Sequence, residues 1–364
     1  MKSFKRLIAL TLAILMVLSF AGCHKKNEVA VTIGDVEFTS AYYMCALINA
    51  DSEAKSKIYE ELSEEEQQQE IDYYSKKIDK KDYVTWVEEK AIESLKTVAA
   101  YKILCKENKI EPDKEDLQNA EMYASYYWSS YGYAAYFEPN GVSQATYTQN
   151  MKDTYYAETY FEHLYGKDGE KAIAAETVKT KMLENFITAN ILSGSYTSEM
   201  KDADKTALKT KFENYAKALK DGSKTFKDVY NEYNDVKEEE EHDHDHEDEE
   251  KTDEPKPKDE LASIIGAEDT GYDAAYYEAV KKMATGDIQV IELEDKSGIV
   301  LAVKQDINAD PYYLDTLDMT VRHLIADEEY EKDIADYAKK LKVDINKFAV
   351  GQFKVKKIIE PSYS

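Results

Sequence analysis

The sequence predicts an α+β protein, with long helices toward both ends and a small mixed α/β unit between them. Three observations predict this class. Apolar residues recur at steps of three and four over long stretches up to about residue 180, which is the spacing of one helix face. From Phe186 the pattern changes to short apolar runs closed by Gly, Ser and Asp, alternating with short helical patterns. Helical spacing then returns from Tyr313 to Tyr337. The middle is interrupted by Glu238–Glu250, EEEEHDHDHEDEE, which holds ten acids, three histidines and no apolar residue.

Taken in order, the chain opens with Lys2, Lys5 and Arg6, followed by an apolar run from Leu7 to Phe20. That run is too short for a membrane span, which needs ~20 residues, and fits a secretory signal over residues 1–22. Its ending, Ala21-Gly22-Cys23, resembles a bacterial lipobox. The resemblance implies cleavage before Cys23, a lipid on its sulfur, and a chain held at the extracytoplasmic face of the membrane. Residues 23–364 are long enough for two ordinary domains. The formal charge is −26, and −29 once the three signal cations are removed. A chain this acidic lacks the cationic surface that nucleic acid requires, and its charge favours solubility. Beyond Cys23 only Cys45 and Cys105 remain, both among apolar neighbours. They read as two buried thiols or as one disulfide. No CxxC or HExxH occurs, and no cofactor is implied.

The folded part begins with EVAVTIGDVEFTSAYY. Val29, Val31 and Ile33 alternate, Gly34-Asp35 turns, and Val36 and Phe38 alternate again, so a two-stranded ribbon is expected. Ser40 is placed to cap a helix from Ala41. Val84, Val87, Ala91, Leu95, Val98, Tyr101 and Cys105 form one stripe of a long helix. Glu111-Pro112-Asp113 breaks it, and a second helix follows. Tyr123 to Phe137 then packs eight aromatics into fifteen residues. Pro139-Asn140-Gly141 turns, and a Tyr-rich helix runs from Ser143 to Tyr165. Phe186 to Leu192 reads as a buried strand ending at Ser193-Gly194. A charged helix from Ala203 to Lys220 and a short one around Phe226, Val229, Tyr230 and Tyr233 come next. Val236 to Glu260 is too polar to fold. Asp273 to Ala284 is helical, Ile288–Leu293 and Gly298–Val303 form a hairpin, and Tyr313 to Tyr337 is one long helix.

Four stretches in this order resemble the PrsA/SurA-type extracytoplasmic foldases. EVAVTIGDVEFTSAYY is similar to that family's N-terminal ribbon and helix. VTWVEEKAIESLKTVAAYKILCKENKIEPDKEDL is similar to its long core helix and the entry to the next one. FITANILSG with GSKTFKDVYNEYN, and YYEAVKKMATGDIQVIELEDKSGIVLAVKQ, resemble the start and end of a parvulin domain. The resemblance implies a mainly helical SurA-like chaperone module with an inserted small parvulin-like α/β domain. The implied divisions are 23–185 for the N-terminal helices, 186–308 for the parvulin-like domain with its acidic insert at 236–260, and 309–364 returning to the first module. It also implies binding of unfolded or translocating secreted polypeptides without a cofactor. Two departures stand out. Asn190 occupies the place of the histidine in the family's "A-x-H-I-L", and Val300 that of the histidine in "G-Y-H". Prolyl isomerisation lowers a rotation barrier of ~20 kcal/mol without breaking a bond, so an apolar pocket with a few hydrogen bonds suffices. With both histidines absent, weak or lost isomerase activity is expected.

Site residues follow with their alternatives. Asn190, Phe226, Tyr230 and Val300 are remnants of the isomerase pocket, or Phe226 and Tyr230 simply pack the small domain. Tyr123, Tyr126, Tyr127, Trp128, Tyr131 and Tyr133 suit loose gripping of apolar chains, because tyrosine offers wide contact and a hydroxyl that tolerates water. They equally suit a core. His242, His244 and His246 alternate, so an extended chain places them on one face. Weak Zn binding by a metal-handling lipoprotein is therefore a rival reading, although nothing in the segment supplies a fixed outer shell. An active parvulin-type isomerase is the other rival.

Overall fold

The computed structural model describes residues 28–236, 256–267, 272–293 and 297–360. Cys23, the histidines His242, His244 and His246, and most of the acidic insert lie outside the described residues. Strands β1 (Val29–Ile33) and β2 (Val36–Thr39) precede helices α1 (Ser40–Glu61), α2 (Tyr83–Asn108), α3 (Lys114–Ser130), the short α4 (Tyr133–Phe137) and α5 (Gln144–Tyr165). Helix α6 (Ala175–Asn185) leads into β3 (Phe186–Ser195), then α7 (Asp202–Lys220), α8 (Phe226–Tyr233), β4 (Ala262–Gly266), α9 (Tyr272–Lys281), β5 (Ile288–Glu292) and β6 (Gly298–Gln305). Helix α10 (Pro311–Lys340), strand β7 (Val343–Ile345) and the single turn α11 (Lys347–Val350) complete the chain. The chain forms two units. One holds the residues up to Ala172 and those from Ala326 onward, and the other spans Ile173–Ile325.

In the first unit β1 is the middle strand of an antiparallel sheet ordered β2-β1-β7. Val31 lies opposite both Phe38 and Ile345. The β1–β2 turn needs a left-handed residue, and Gly34 supplies it at φ +61°. Thr39, not Ser40, caps α1 by accepting the Tyr42 N–H at 3.2 Å. Ser40 is instead the first helical residue, and its hydroxyl donates to the Glu28 carbonyl at 3.1 Å. Asp82, Asp113 and Ser143 cap α2, α3 and α5 in the same manner.

Two buried carboxylates tie the helices of this unit. Asp153 of α5 accepts from the Tyr42 hydroxyl of α1 at 3.0 Å, from Lys102 of α2 at 2.9 Å and from Gln149 at 2.8 Å. Asp51 of α1 accepts from the Tyr83 hydroxyl of α2 at 2.8 Å and from Lys55 at 2.6 Å. Lys55 also pairs with Glu360, near the far end of the chain. The second half of α10 belongs here as well. Tyr330 packs edge-on against Phe161 at 5.1 Å, stacks on Tyr101 at 6.0 Å, and donates its hydroxyl to the Ala157 carbonyl at 2.7 Å.

The second unit is built on an antiparallel sheet ordered β4-β3-β6-β5. Alternate residues of β3 face opposite sides, and both sides are covered, which is why FITANIL reads as almost continuously apolar. Ile187 and Ala189 join Val300, Ala302, Tyr276 and Tyr277 on the α9 side. Leu192 joins Phe212, Ile299 and Leu301 beneath α7 and α8. Phe186 and Ile264 pack with Val178 and Met182 of α6 and with Tyr313, Leu317 and Val321 of α10.

Several expectations need correction. Only the second half of α10 joins the first unit, and the first half covers the sheet of the second. The division therefore falls after Ala172 and after Ile325 rather than at 185 and 308. Residues 256–260, expected to be unfolded with the rest of the insert, are placed. The Lys258 backbone N–H donates to Asp310 at 2.6 Å, and its ammonium donates to the Ala309 carbonyl at 2.9 Å. That backbone hydrogen bond holds the Asp310 carboxyl below the ordinary carboxylate range. Strand β4 and strand β7 were not foreseen, because each is short and pairs with residues far away in sequence.

Asp153 is 2% exposed, so removing it leaves a lysine and a tyrosine hydroxyl facing a low-dielectric interior. Asp153→Ala is expected to destabilise the protein by about 3 kcal/mol in urea unfolding, as loss of one partner of a buried pair does. Asp333→Ala, which breaks an exposed pair with Lys171, should shift stability by less than about 1 kcal/mol.

Candidate functional site

The aromatic stretch of the first unit is layered. Ala120, Ala124 and Trp128 recur at four-residue steps and form the buried face of α3. Trp128 stacks on Phe137 of α4 at 6.2 Å and packs tilted against Tyr147 of α5 at 5.7 Å, and all three rings are buried. Tyr133 lies above this base, 5.9 Å from Phe137 and 5.7 Å from Tyr147. Tyr127 stacks on Tyr133 at 5.8 Å. Tyr123, Tyr126 and Tyr131 then pack around Tyr127 or each other at 5.4–6.4 Å. They expose 45%, 51% and 63% of their surface. Met122 beside them is also exposed. The candidates are thus sorted by layer: Trp128 is core, Tyr127 and Tyr133 bridge, and Tyr123, Tyr126 and Tyr131 present rings to water. Gly132, left-handed at φ +73°, makes the bend between α3 and α4 that brings Tyr131 and Tyr133 over the same base.

The same unit holds an open groove of about 810 Å³. Its apolar lining includes Tyr43, Trp86, Ile92, Ile345 and Val350, and its rim carries lysines and glutamates of α2. The Trp86 indole N–H donates to Asp79 at 3.2 Å, which fixes that ring at the wall. Sequence periodicity missed this groove because Ile345 and Val350 arrive from the far end of the chain.

The pocket remnants of the second unit do not converge. Asn190 is 1% exposed and lies on the β3 face that carries Leu192. Phe226 and Tyr230 pack against the Leu192 and Phe212 cluster on that face. Val300 lies on the opposite face, against Ile187 and Tyr277. The Asn190 amide is hydrogen-bonded at both its nitrogen and its oxygen. Its Nδ2 donates to Asp259 at 2.9 Å, and its Oδ1 accepts from Gln305. Thr188, one step along the same face, is completely buried with no partner for its hydroxyl among the described residues. Gly194 permits the close approach of α7, since a Cβ there would meet the Phe212 ring at 3.0 Å. Phe226 and Tyr230 are half-buried packing residues of the α7–α8 cluster, and Asn190 is a buried polar bridge.

Other candidate chemistry is sparse. Cys45 and Cys105 are both buried free thiols, not a disulfide. Burial pushes Cys45 up to about 12 and Cys105 up to about 11, so neither supplies a thiolate nucleophile. Among the described residues no group of three or more His, Cys, Asp or Glu is placed to hold a metal ion. No described helix is long and apolar enough to cross a membrane.

Among the described residues Lys304 of β6 is the lysine pulled well down, to about 8, first by burial and second by the neighbouring Lys281 ammonium. Lys281 itself is held by the Glu184 carbonyl at 2.8 Å and lies over the Tyr277 ring. The ordinary lysine value is 10.5, so between about 8 and 10.5 the unfolded chain binds more protons than the folded one. Stability then rises with pH across that window. Lys304→Met is expected to stabilise the protein below pH 8 and to lose that advantage as the pH approaches 10.5, read from urea midpoints.

No family model and no curated protein matches the chain. Among solved structures it is similar to the foldase protein PrsA from Lactococcus lactis, at 14% identity over 90% of this chain and 99% of that one, with a TM-score of 0.38. It is also similar to PrsA from Bacillus subtilis, at 14% identity over 79% of this chain and 93% of that one, with a TM-score of 0.32.

Proposed function

We propose that this chain is a membrane-anchored extracytoplasmic chaperone of the foldase type, which holds unfolded secreted polypeptides on the tyrosine face of α3 and α4. The observation that carries the reading is the layering of that face. Exposed Tyr123, Tyr126 and Tyr131 rest on a rigid buried base of Trp128, Phe137 and Tyr147. Rings with few rotatable bonds lose little entropy on contact, and their hydroxyls keep the free surface soluble. Contacts of this kind suit apolar segments of many sequences. The Ala21-Gly22-Cys23 ending supports a lipid anchor on Cys23.

The small domain around β3 is proposed to be parvulin-like with weak or lost isomerase activity. Twisting an imide requires a polar network beside an apolar pocket. Here Asn190 spends its amide on Asp259 and Gln305, and Val300 lies across the sheet from it. Proline isomerisation of Xaa-Pro peptides, followed by NMR exchange, is expected to stay near its uncatalysed rate of tens of seconds. Rapid catalysis by the wild-type chain, abolished by Phe226→Ala, would count against this part of the reading.

The layering separates folding from holding. Tyr126→Ser with Tyr131→Ser is expected to keep the unfolding midpoint and to lose most suppression of aggregation of a reduced, unfolded client in light scattering. Trp128→Ala is expected to cost about 3–5 kcal/mol of stability. Full holding by the double tyrosine variant would sink the proposal.

A further inference from the structure

Glu28 directly precedes β1, and one side chain governs that point. Asn346 Nδ2 donates to the Glu28 carboxylate at 3.1 Å and to the Val29 carbonyl at 3.2 Å. Its Oδ1 caps α11, accepting the N–H groups of Phe348 and Ala349 at 3.2 Å. The start of β1 and the turn that carries Lys347 and Phe348 are therefore locked together. Ala349 is buried under this turn, and Phe348 is 68% exposed, more than any other large apolar side chain among the described residues. Ile345 beside it is 39% exposed. An exposed phenylalanine held by a buried neighbour is costly in water, unless something apolar meets it.

The charge around this turn is the reverse of the chain's. From Lys339 to Lys357 there are seven lysines and one acid, Asp344, a net of 7 − 1 = +6, in a protein of net −26. Lys342, Lys347 and Lys354 are exposed. Cys23 stands five residues before Glu28, so it lies within about 18 Å of it even on a fully extended chain. A lipid on Cys23 would hold this surface within reach of the headgroups.

We propose that the α11 face, formed by Phe348, Ile345, Lys347 and Lys354, docks on an anionic bilayer surface, with the lysines on headgroup phosphates and Phe348 in the interface. The proposal rests on the reading of Cys23 as lipid-anchored. A basic surface close to a membrane anchor is drawn to anionic headgroups, by about 1 kcal/mol for each lysine near the surface. Several lysines elsewhere in the unit face acids, as Lys106 does Asp35 and Lys152 does Glu121. Within the run Lys339 pairs with Asp336, and the remaining lysines give this stretch the sign an anionic leaflet attracts.

The full chain carrying Phe348→Trp tests this, after reconstitution in nanodiscs of phosphatidylcholine alone or mixed with phosphatidylglycerol. The emission added over the parent chain is expected to shift to the blue and to be quenched by brominated acyl chains only with phosphatidylglycerol. Added salt should reverse both effects. Lys347→Glu with Lys354→Glu should weaken partitioning of the chain onto phosphatidylglycerol vesicles by about thirtyfold or more. A chain that is retained in the discs yet shows equal emission and no quenching in either lipid overturns the docking and leaves the anchor intact. Mass spectrometry of Cys23 and a Cys23→Ala variant decide the anchor separately. If Cys23 carries no lipid, quenching of Cys23→Ala/Phe348→Trp on phosphatidylglycerol vesicles still supports the docking surface, and its absence overturns it.

Discussion

The first unit depends on one strand pairing. β1 sits between β2, its immediate neighbour in sequence, and β7, close to the other end of the chain. Asn346 and Glu28 are 318 positions apart, yet they share a hydrogen bond. The sheet cannot be completed until Val343–Ile345 returns. Ala349, Val355 and Ile358 then fill the same core as Ala30, Val31 and Ile33. Contacts of such sequence separation are costly in loop entropy and late in folding. They also dictate that the Ile173–Ile325 stretch leaves this unit and comes back to it, whatever that stretch does.

Buried charge supplies the second constraint. Asp51 and Asp153 are each enclosed, and each is met by a tyrosine hydroxyl and a lysine from other turns or helices. A buried carboxylate tolerates few geometries, so these clusters fix how α1, α2 and α5 register against one another. They also explain part of the chain's thirty tyrosines. A phenylalanine would fill the same volume, but it would leave the carboxylate short of a donor. Tyrosine therefore serves two ends in one unit: its hydroxyl satisfies buried acids at Tyr42 and Tyr83, and its ring faces water at Tyr126 and Tyr131.

The candidate sites differ in how far they were legible. The aromatic cluster from Tyr123 to Phe137 was visible as composition, but which rings were core was not. That depended on the Gly132 bend and on Tyr147, which lies on another helix. The isomerase remnants were visible as motif positions. Strand alternation then places Asn190 and Val300 on opposite faces, because 190 pairs with 303 and 193 with 300. The partners of Asn190 were invisible, since Asp259 falls in a stretch whose composition reads as unfolded. The groove was illegible because it joins Tyr43 and Trp86 to Ile345 and Val350, hundreds of positions away; the lysines of the α11 surface are contiguous in sequence, but the exposure of Phe348 was not legible.

Local patterns alone settled the ribbon at Val29–Thr39, the long helices, the β5–β6 hairpin and the α+β class. Each of these is determined by period, cap or turn within a few residues, where side-chain spacing and backbone preference act without help. Tertiary structure decided the rest. It split α10 between two cores, because Val321 and Tyr330 on one helix face different apolar partners. It ordered residues 256–260 through Asp310 and Asn190, and it closed β1 with β7. These outcomes rest on satisfying hydrogen bonds and filling volume across long sequence separations, where no local period carries the information.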